Sequence, residues 1–253
     1  MITDAFFYLV AVPAVLIAGV SKGGFGGGLG ILATPLMAMA VGPTDAAAIM
    51  LPILCLMDLF GVWAYRGKWD RVNMRILIVA SFAGIAIGTV SFRYLDANAI
   101  RLLLGVIAVG FALSYWLRRS SEPPPACGPS LGRGGFWGCL SGFTSFVAHA
   151  GGPPLNVYLL PQRLDKTVYH ATTVIFFTWV NYVKLVPYAW LGQFNGTNVA
   201  TAIVLMPLAP LGIWLGVYLH RVVAPSLFYS LCYIFVFGTG VKLLYDGIRA
   251  LLG

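Results

Sequence analysis

Apolar stretches of about 17 to 23 residues recur along the whole chain, each long enough to cross a bilayer core of roughly 30 Å as a helix. Of the 253 residues, 59% are hydrophobic and only 9% charged, where a soluble domain carries roughly 25% charge. Runs of this length argue for membrane helices, whose backbone groups pair within each segment. The chain therefore reads as an all-α polytopic membrane protein, with no soluble domain large enough to fold alone.

Two interruptions break the pattern. Gly19-Val20-Ser21-Lys22-Gly23-Gly24-Phe25-Gly26-Gly27-Gly28-Leu29-Gly30 sits between two apolar runs near the start. A degenerate echo, running from Gly142 through Thr144, Ser145 and His149 to Gly151-Gly152-Pro153-Pro154, follows about 123 residues later. Irregular backbone at membrane depth is tolerated only where protein or a water-filled cavity lines it. Paired glycine or proline breaks in two halves mark the binding region of a secondary transporter.

Spans are expected at about 46–65, 76–92 and 98–117, then at 168–190, 198–218 and 226–246. Each trio follows a pair of shorter runs, 5–20 with 29–41 and 136–148 with 152–161, which read as half-helices or a re-entrant hairpin rather than ordinary spans, with two full spans left open. The halves register further: Gly84, Gly88, Arg93 and Gly110 match Gly212, Gly216, Arg221 and Gly238 at an offset of 128. This divides the chain into a first repeat at 1–117, a linker at 118–135 and a second repeat at 136–253. The linker holds Arg118, Arg119, Pro123-Pro124-Pro125 and Arg133, as a cytoplasmic joint would.

Loop charge sets the relation between the halves. Loop 66–75 carries Arg66, Lys68, Arg71 and Arg75, whereas its counterpart 191–197 carries no cation. Equivalent loops on opposite sides require an odd number of crossings per half, so the predicted architecture is two inverted repeats, each a glycine-broken helical hairpin plus three spanning helices. With the cationic loop inside, ten Lys/Arg lie in cytoplasmic loops against Arg93, Arg101, Lys242 and Arg249 outside. Both termini then face outward from a bacterial-type inner membrane. Four equal spans per half would place the unlike loops on one side, which disfavours parallel repeats.

The net charge of +8 and pI near 9.5 fit positive-inside orientation and also attraction of an anionic substrate. No basic stripe with interleaved polar surface points to nucleic acid. Cys55, Cys127, Cys139 and Cys232 lack C-x-x-C spacing and read as small apolar fillers, with no metal site or cofactor indicated. The first residues lack a basic n-region, so the first apolar run is expected to stay in the mature protein. The expected partners are a small anionic substrate, the lipid bilayer and coupling protons, with homo-oligomerisation left open.

Helix N-termini expose unpaired N–H groups and a positive dipole end, ready sites for anions. One is predicted just after Gly26, Gly27 and Gly28, another at Gly151 and Gly152, where a following proline costs no hydrogen bond; close helix packing would also explain such glycines. Ser21 and Lys22 lie inside the first break. A cation at membrane depth marks function by default, unless it snorkels to the interface. His149 occupies the echo, as ligand or as hydrogen-bonded structure. Asn181 and Lys184 share one helical face three residues apart, with Thr178 nearly on it, and read as a cavity-lining stripe. Asp58, in the related first-half span, is the coupling candidate: a proton carrier, a lysine partner or a plain hydrogen-bonded acid. Asn156 and His170 are weaker candidates.

Gly19-x-Ser21-x-Gly23-Gly24-x-Gly26-Gly27-Gly28, followed by Ala33-Thr34-Pro35 and later by Gly151-Gly152-Pro153-Pro154, resembles the TauE/SafE sulfite-exporter family of toluene-sulfonate uptake permeases. The resemblance implies secondary transport of small sulfur-containing anions such as sulfite, sulfoacetate or related sulfonates. Composition and spacing alone reach an anion-favouring transporter. The second half replaces the Ser-Lys pair by Thr144 and Ser145, so no symmetric lysine pair is expected. The rivals are a passive anion channel and an intramembrane hydrolase using Ser145 or Ser21 with His149 or His170. For the latter, a nucleophile and a base would have to meet within hydrogen-bond distance and be oriented by a third group.

Overall fold

A computed structural model describes all residues except 25–29, 93, 95, 119–126, 223–224 and 253. Gly26 to Gly28, Arg93 and residues 119–126 of the expected linker thus lie outside the described residues. The described elements are all helical. α1 (Ala5–Gly24), a 3-10 turn (Gly30–Leu32) and α2 (Ala33–Met37) form the first hairpin. α3 (Pro43–Tyr65), α4 (Arg71–Ser91) and α5 (Ala97–Arg118) follow. The second hairpin is α6 (Leu131–Ala148) with α7 (Gly152–Leu159), running into a 3-10 turn at Leu160–Gln162. α8 (Lys166–Trp190), α9 (Gly196–Leu205), α10 (Leu208–Val222) and α11 (Pro225–Leu252) complete the chain.

Side-chain caps start several of these helices. Asp70 accepts from Asn73 N at 2.7 Å, Asp165 from Thr167 N at 2.8 Å and Asn195 from Asn198 N at 2.8 Å, each satisfying an orphan first-turn donor. Pro43 opens α3 at its first turn, where its missing N–H leaves no bond unmade.

Three boundaries differ from expectation. The hairpins are unequal: α1 and α6 run 20 and 18 residues, and only the returning arms α2 and α7, at 5 and 8 residues, are short. The expected linker ends early, because α6 already begins at Leu131 under the Ser130 cap. The expected span 198–218 is two helices, α9 and α10, bent by 45°. Pro207 lies in that break and cannot donate to the preceding turn.

α1 packs along α10 and α4 along α6, while α3 lies against α8 and α5 against α11. Glycines set the first two contacts. A Cβ on Gly19 would come within 2.6 Å of the Gly212 Cα, and one on Gly84 would fall on the Cys139 carbonyl. Gly88 and Gly216 likewise have no room for a side chain, against Phe146 and Val20. Backbones that approach this closely gain dispersion contact that larger residues would block. Gly110 and Gly238, matched at the same offset, meet nothing within 4 Å.

The interior is largely apolar but holds a buried polar cluster, and the outer surface is apolar as well. Asp58, Asn181 and Lys184 are buried, while Val79, Val186 and Trp214 are about 70% exposed. Lipid, not water, is the solvent for such a surface. Among the described residues, α1, α3 and α4 are long and apolar enough to cross a membrane, and the α9–α10 pair, taken together, passes the same test as either a broken span or a re-entrant loop. This is a multi-pass membrane protein.

Candidate functional site

The two hairpins meet α3 and α8 around a central cavity of about 40 Å³, room for two or three waters. Lys22, Thr34, Ser145, His149 and Asn181 line it with polar groups, Gly30 and Gly152 bring backbone to it, and Met50, Leu54 and Phe177 close it with apolar surface. A smaller void of about 10 Å³ lies on the other side of Lys22, bounded by Asp58, Gly61, Thr173 and Phe177. Lys22 and Phe177 border both spaces.

Two polar clusters flank the cavity. In the first, the Lys22 ammonium forms an ion pair with Asp58 Oδ1 and lies 3.5 Å from the Leu54 carbonyl. Asp58 Oδ2 accepts from Asn181 Nδ2 at 2.7 Å. Three elements, α1, α3 and α8, are thereby tied through one carboxylate. Such a pair has lost water and holds because each partner compensates the other.

In the second, Lys184 is fully buried. Its ammonium donates to the Ser145 carbonyl at 3.0 Å and the Ser145 hydroxyl at 3.1 Å, and lies 2.9 Å from His149 Nδ1. His149 Nε2 is 2.9 Å from the Ala47 carbonyl. The imidazole that suits both neighbours carries its proton on Nε2 and accepts from Lys184 on Nδ1. His149 caps α6 in the left-handed region at φ 53°. That conformation is fixed by His149 N to Ser145 O at 3.0 Å and Ala150 N to Thr144 O at 3.2 Å. Non-glycine residues held there cluster at functional sites.

The remaining sequence candidates fall in different places. Ser21 is buried, and its Oγ accepts from Gly30 N at 2.9 Å, closing the first hairpin. Gly151 is the N-cap of α7, and its carbonyl accepts from Ser141 Oγ at 2.7 Å. Gly152 lines the cavity as the first residue of α7. Pro153 and Pro154 follow with no N–H, and Leu155 N returns to Gly151 O. The α7 terminus therefore offers a ligand the Gly152 amide rather than a full turn of donors. Lys184 stands behind Ser145 and His149 instead of lining the space. Thr178 returns its hydroxyl to Val174 O, Asn156 accepts from Tyr169, and His170 packs on the Tyr65 ring.

Sequence reading passed over Thr34 as a site residue, although it stands in the Ala33-Thr34-Pro35 stretch after the glycine break. It lines the cavity on α2, opposite His149's hairpin.

Comparison with known proteins agrees over nearly the whole chain. The family model described as "Sulfite exporter TauE/SafE" matches residues 11–243. A relative described as "Probable sulfite/organosulfonate exporter TauE", from Cupriavidus necator strain H16, is 23% identical over 253 residues and covers 96% of both chains. No solved structure matches.

Proposed function

The chain belongs to the sulfite exporter TauE/SafE family, and on that premise we propose that it is a secondary transporter of small sulfur-containing oxyanions, sulfite, sulfoacetate or related organosulfonates, held in the central cavity between its two hairpins. The observation that carries this reading is the charge of the site. Lys22 and Lys184 bring two ammonium groups to the centre of an apolar bundle, and Asp58 is the carboxylate beside them. With both amines protonated, one positive charge is left over, in surroundings where an isolated ion is costly. A monoanion in the cavity removes that cost. Lys22, Gly152 N–H and His149 border its seat, and Lys184 supplies field from behind.

Asp58 gives the seat a coupling rule. Lys22 cannot serve its carboxylate and a bound anion equally in so small a space. When the anion takes the ammonium, Asp58 accepts a proton and remains hydrogen-bonded to Asn181; when the anion leaves, the proton leaves and the ion pair reforms. Anion and proton then move together, and a monoanion crosses without net charge.

Inverted repeats supply the movement. Supporting them, exchanging the halves maps α1–α10 onto α6–α4 and leaves α3–α8 and α5–α11 unchanged. Asp70 capping Asn73 also matches Asn195 capping Asn198. Each of these asparagines then reaches the opposite half, Asn73 to Gln162 and Asn198 to Asp45. In this reading the three-span bundles rock about the cavity, with both termini outside an inner membrane.

A thermal-shift screen of purified protein against sulfite, sulfate, sulfoacetate and methanesulfonate tests the substrate. A true ligand at 100 times its dissociation constant adds about 2.7 kcal/mol of stability. Equal, negligible shifts for all four would defeat the anion reading.

A further inference from the structure

Thr34 departs from the other buried threonines. Thr144, Thr172, Thr173 and Thr201 each return the hydroxyl to the carbonyl four residues back, at 2.7 to 3.0 Å, as threonine within a helix commonly does. The residue four before Thr34 is Gly30, which belongs to the 3-10 turn rather than to α2. Thr34 is 2% exposed, and its Oγ1 is buried without a hydrogen-bond partner. A buried hydroxyl left unmade is a free-energy cost that native structures rarely carry without a reason. Thr34 also lines the cavity that Lys22, His149 and Gly152 border.

We propose that Thr34 is an anion-binding residue whose hydroxyl donates to an oxygen of the bound oxyanion. This rests on the reading of the cavity as the anion seat. The hydroxyl can donate to a ligand without surrendering an existing bond. It stands on the first hairpin's returning arm, whereas Gly152 stands on the second's. A ligand bridging the two would be gripped by one neutral donor from each half in addition to Lys22. Groups of this kind favour a compact head with several equivalent oxygens, as in a sulfonate or sulfite, over a spherical halide that offers no directed acceptors.

The test is a titration of methanesulfonate, with chloride as the spherical control, into detergent-purified wild type, Thr34→Val, Thr34→Ser and Lys22→Gln/Asp58→Asn. Thr34→Val should weaken methanesulfonate at least tenfold, the range of a hydrogen bond to a charged group, while leaving the ligand-free melting temperature unchanged or higher. Thr34→Ser should stay within about threefold of wild type. If Thr34→Val binds as wild type while the double variant is weakened, Thr34 is not a ligand but the cavity reading stands. If no methanesulfonate binds to wild type, or all variants bind it equally, the cavity reading itself fails and takes this one with it. A ligand-free melting temperature that falls sharply in Thr34→Val would assign the hydroxyl a structural bond and overturn the proposal.

Discussion

Lys22 and Lys184 enter the same central region with different solutions to one physical problem. Lys22 is neutralised by a carboxylate and faces the cavity; Lys184 is sealed away from it and held by a hydroxyl, a carbonyl and an imidazole, all neutral. In the proposed function the first arrangement is the exchangeable contact, because the anion would replace Asp58. The second is a fixed source of field, because its partners are parts of the fold. On that proposal the first hairpin carries the movable charge and the second supplies the frame that holds Lys184.

The largest effect separating the two concerns stability. Lys22→Gln strands Asp58, which is 1% exposed, and should cost about 3–5 kcal/mol. Adding Asp58→Asn should restore most of it in thermal or denaturant unfolding. If the single variant is as stable as wild type, the ion pair does not hold the fold.

Lys184→Met abandons neutral acceptors and should cost less, about 1–3 kcal/mol. Asp58→Asn should bring no recovery here, and recovery would erase the distinction between the clusters. Methanesulfonate affinity in Lys184→Met should fall about tenfold or more, through loss of the excess charge.

The glycine contacts should respond alike in both halves. Gly84→Ala and Gly212→Ala should each cost about 1–3 kcal/mol by overpacking, against a helix propensity gain of up to about 1 kcal/mol. A loss at one and a gain at the other would break the correspondence of α4–α6 with α1–α10. Smallest of all, Gly110→Ala meets open space and should raise stability by up to about 1 kcal/mol, the helix-propensity gain alone.

Long helices such as α3 and α4 were legible because apolar length alone encodes them. The bend between α9 and α10 was not, since the run 198–218 stays apolar through Pro207 and a kink costs nothing visible in composition. Lys22, Asn181 and Lys184 stood out as polar groups among apolar neighbours. Asp58 stood out as well, a lysine partner among its expected roles, but the specific pairings did not: Lys22 meets Asp58 across 36 residues and Lys184 meets Ser145 across 39, separations with no local periodicity. The glycine register at offset 128 reads packing at Gly84 and Gly212 but not at Gly110 and Gly238. Thr34 was masked by its type, because a threonine in a helix ordinarily satisfies itself. Prolines after Gly152 reduced the predicted turn of amide donors to one, visible only once the helix start was located.

The proposed proton-linked anion movement through Asp58 can be measured directly. Proteoliposomes are loaded with equal labelled methanesulfonate on both sides, the membrane potential is clamped to zero, and a pH gradient is imposed. Wild type should accumulate the anion on the alkaline side above its starting concentration, and Asp58→Asn should let it cross without accumulating. Accumulation that persists unchanged in Asp58→Asn, or a wild type that only equilibrates the anion as a channel does, would contradict the coupling of Lys22, Asp58 and substrate in one seat.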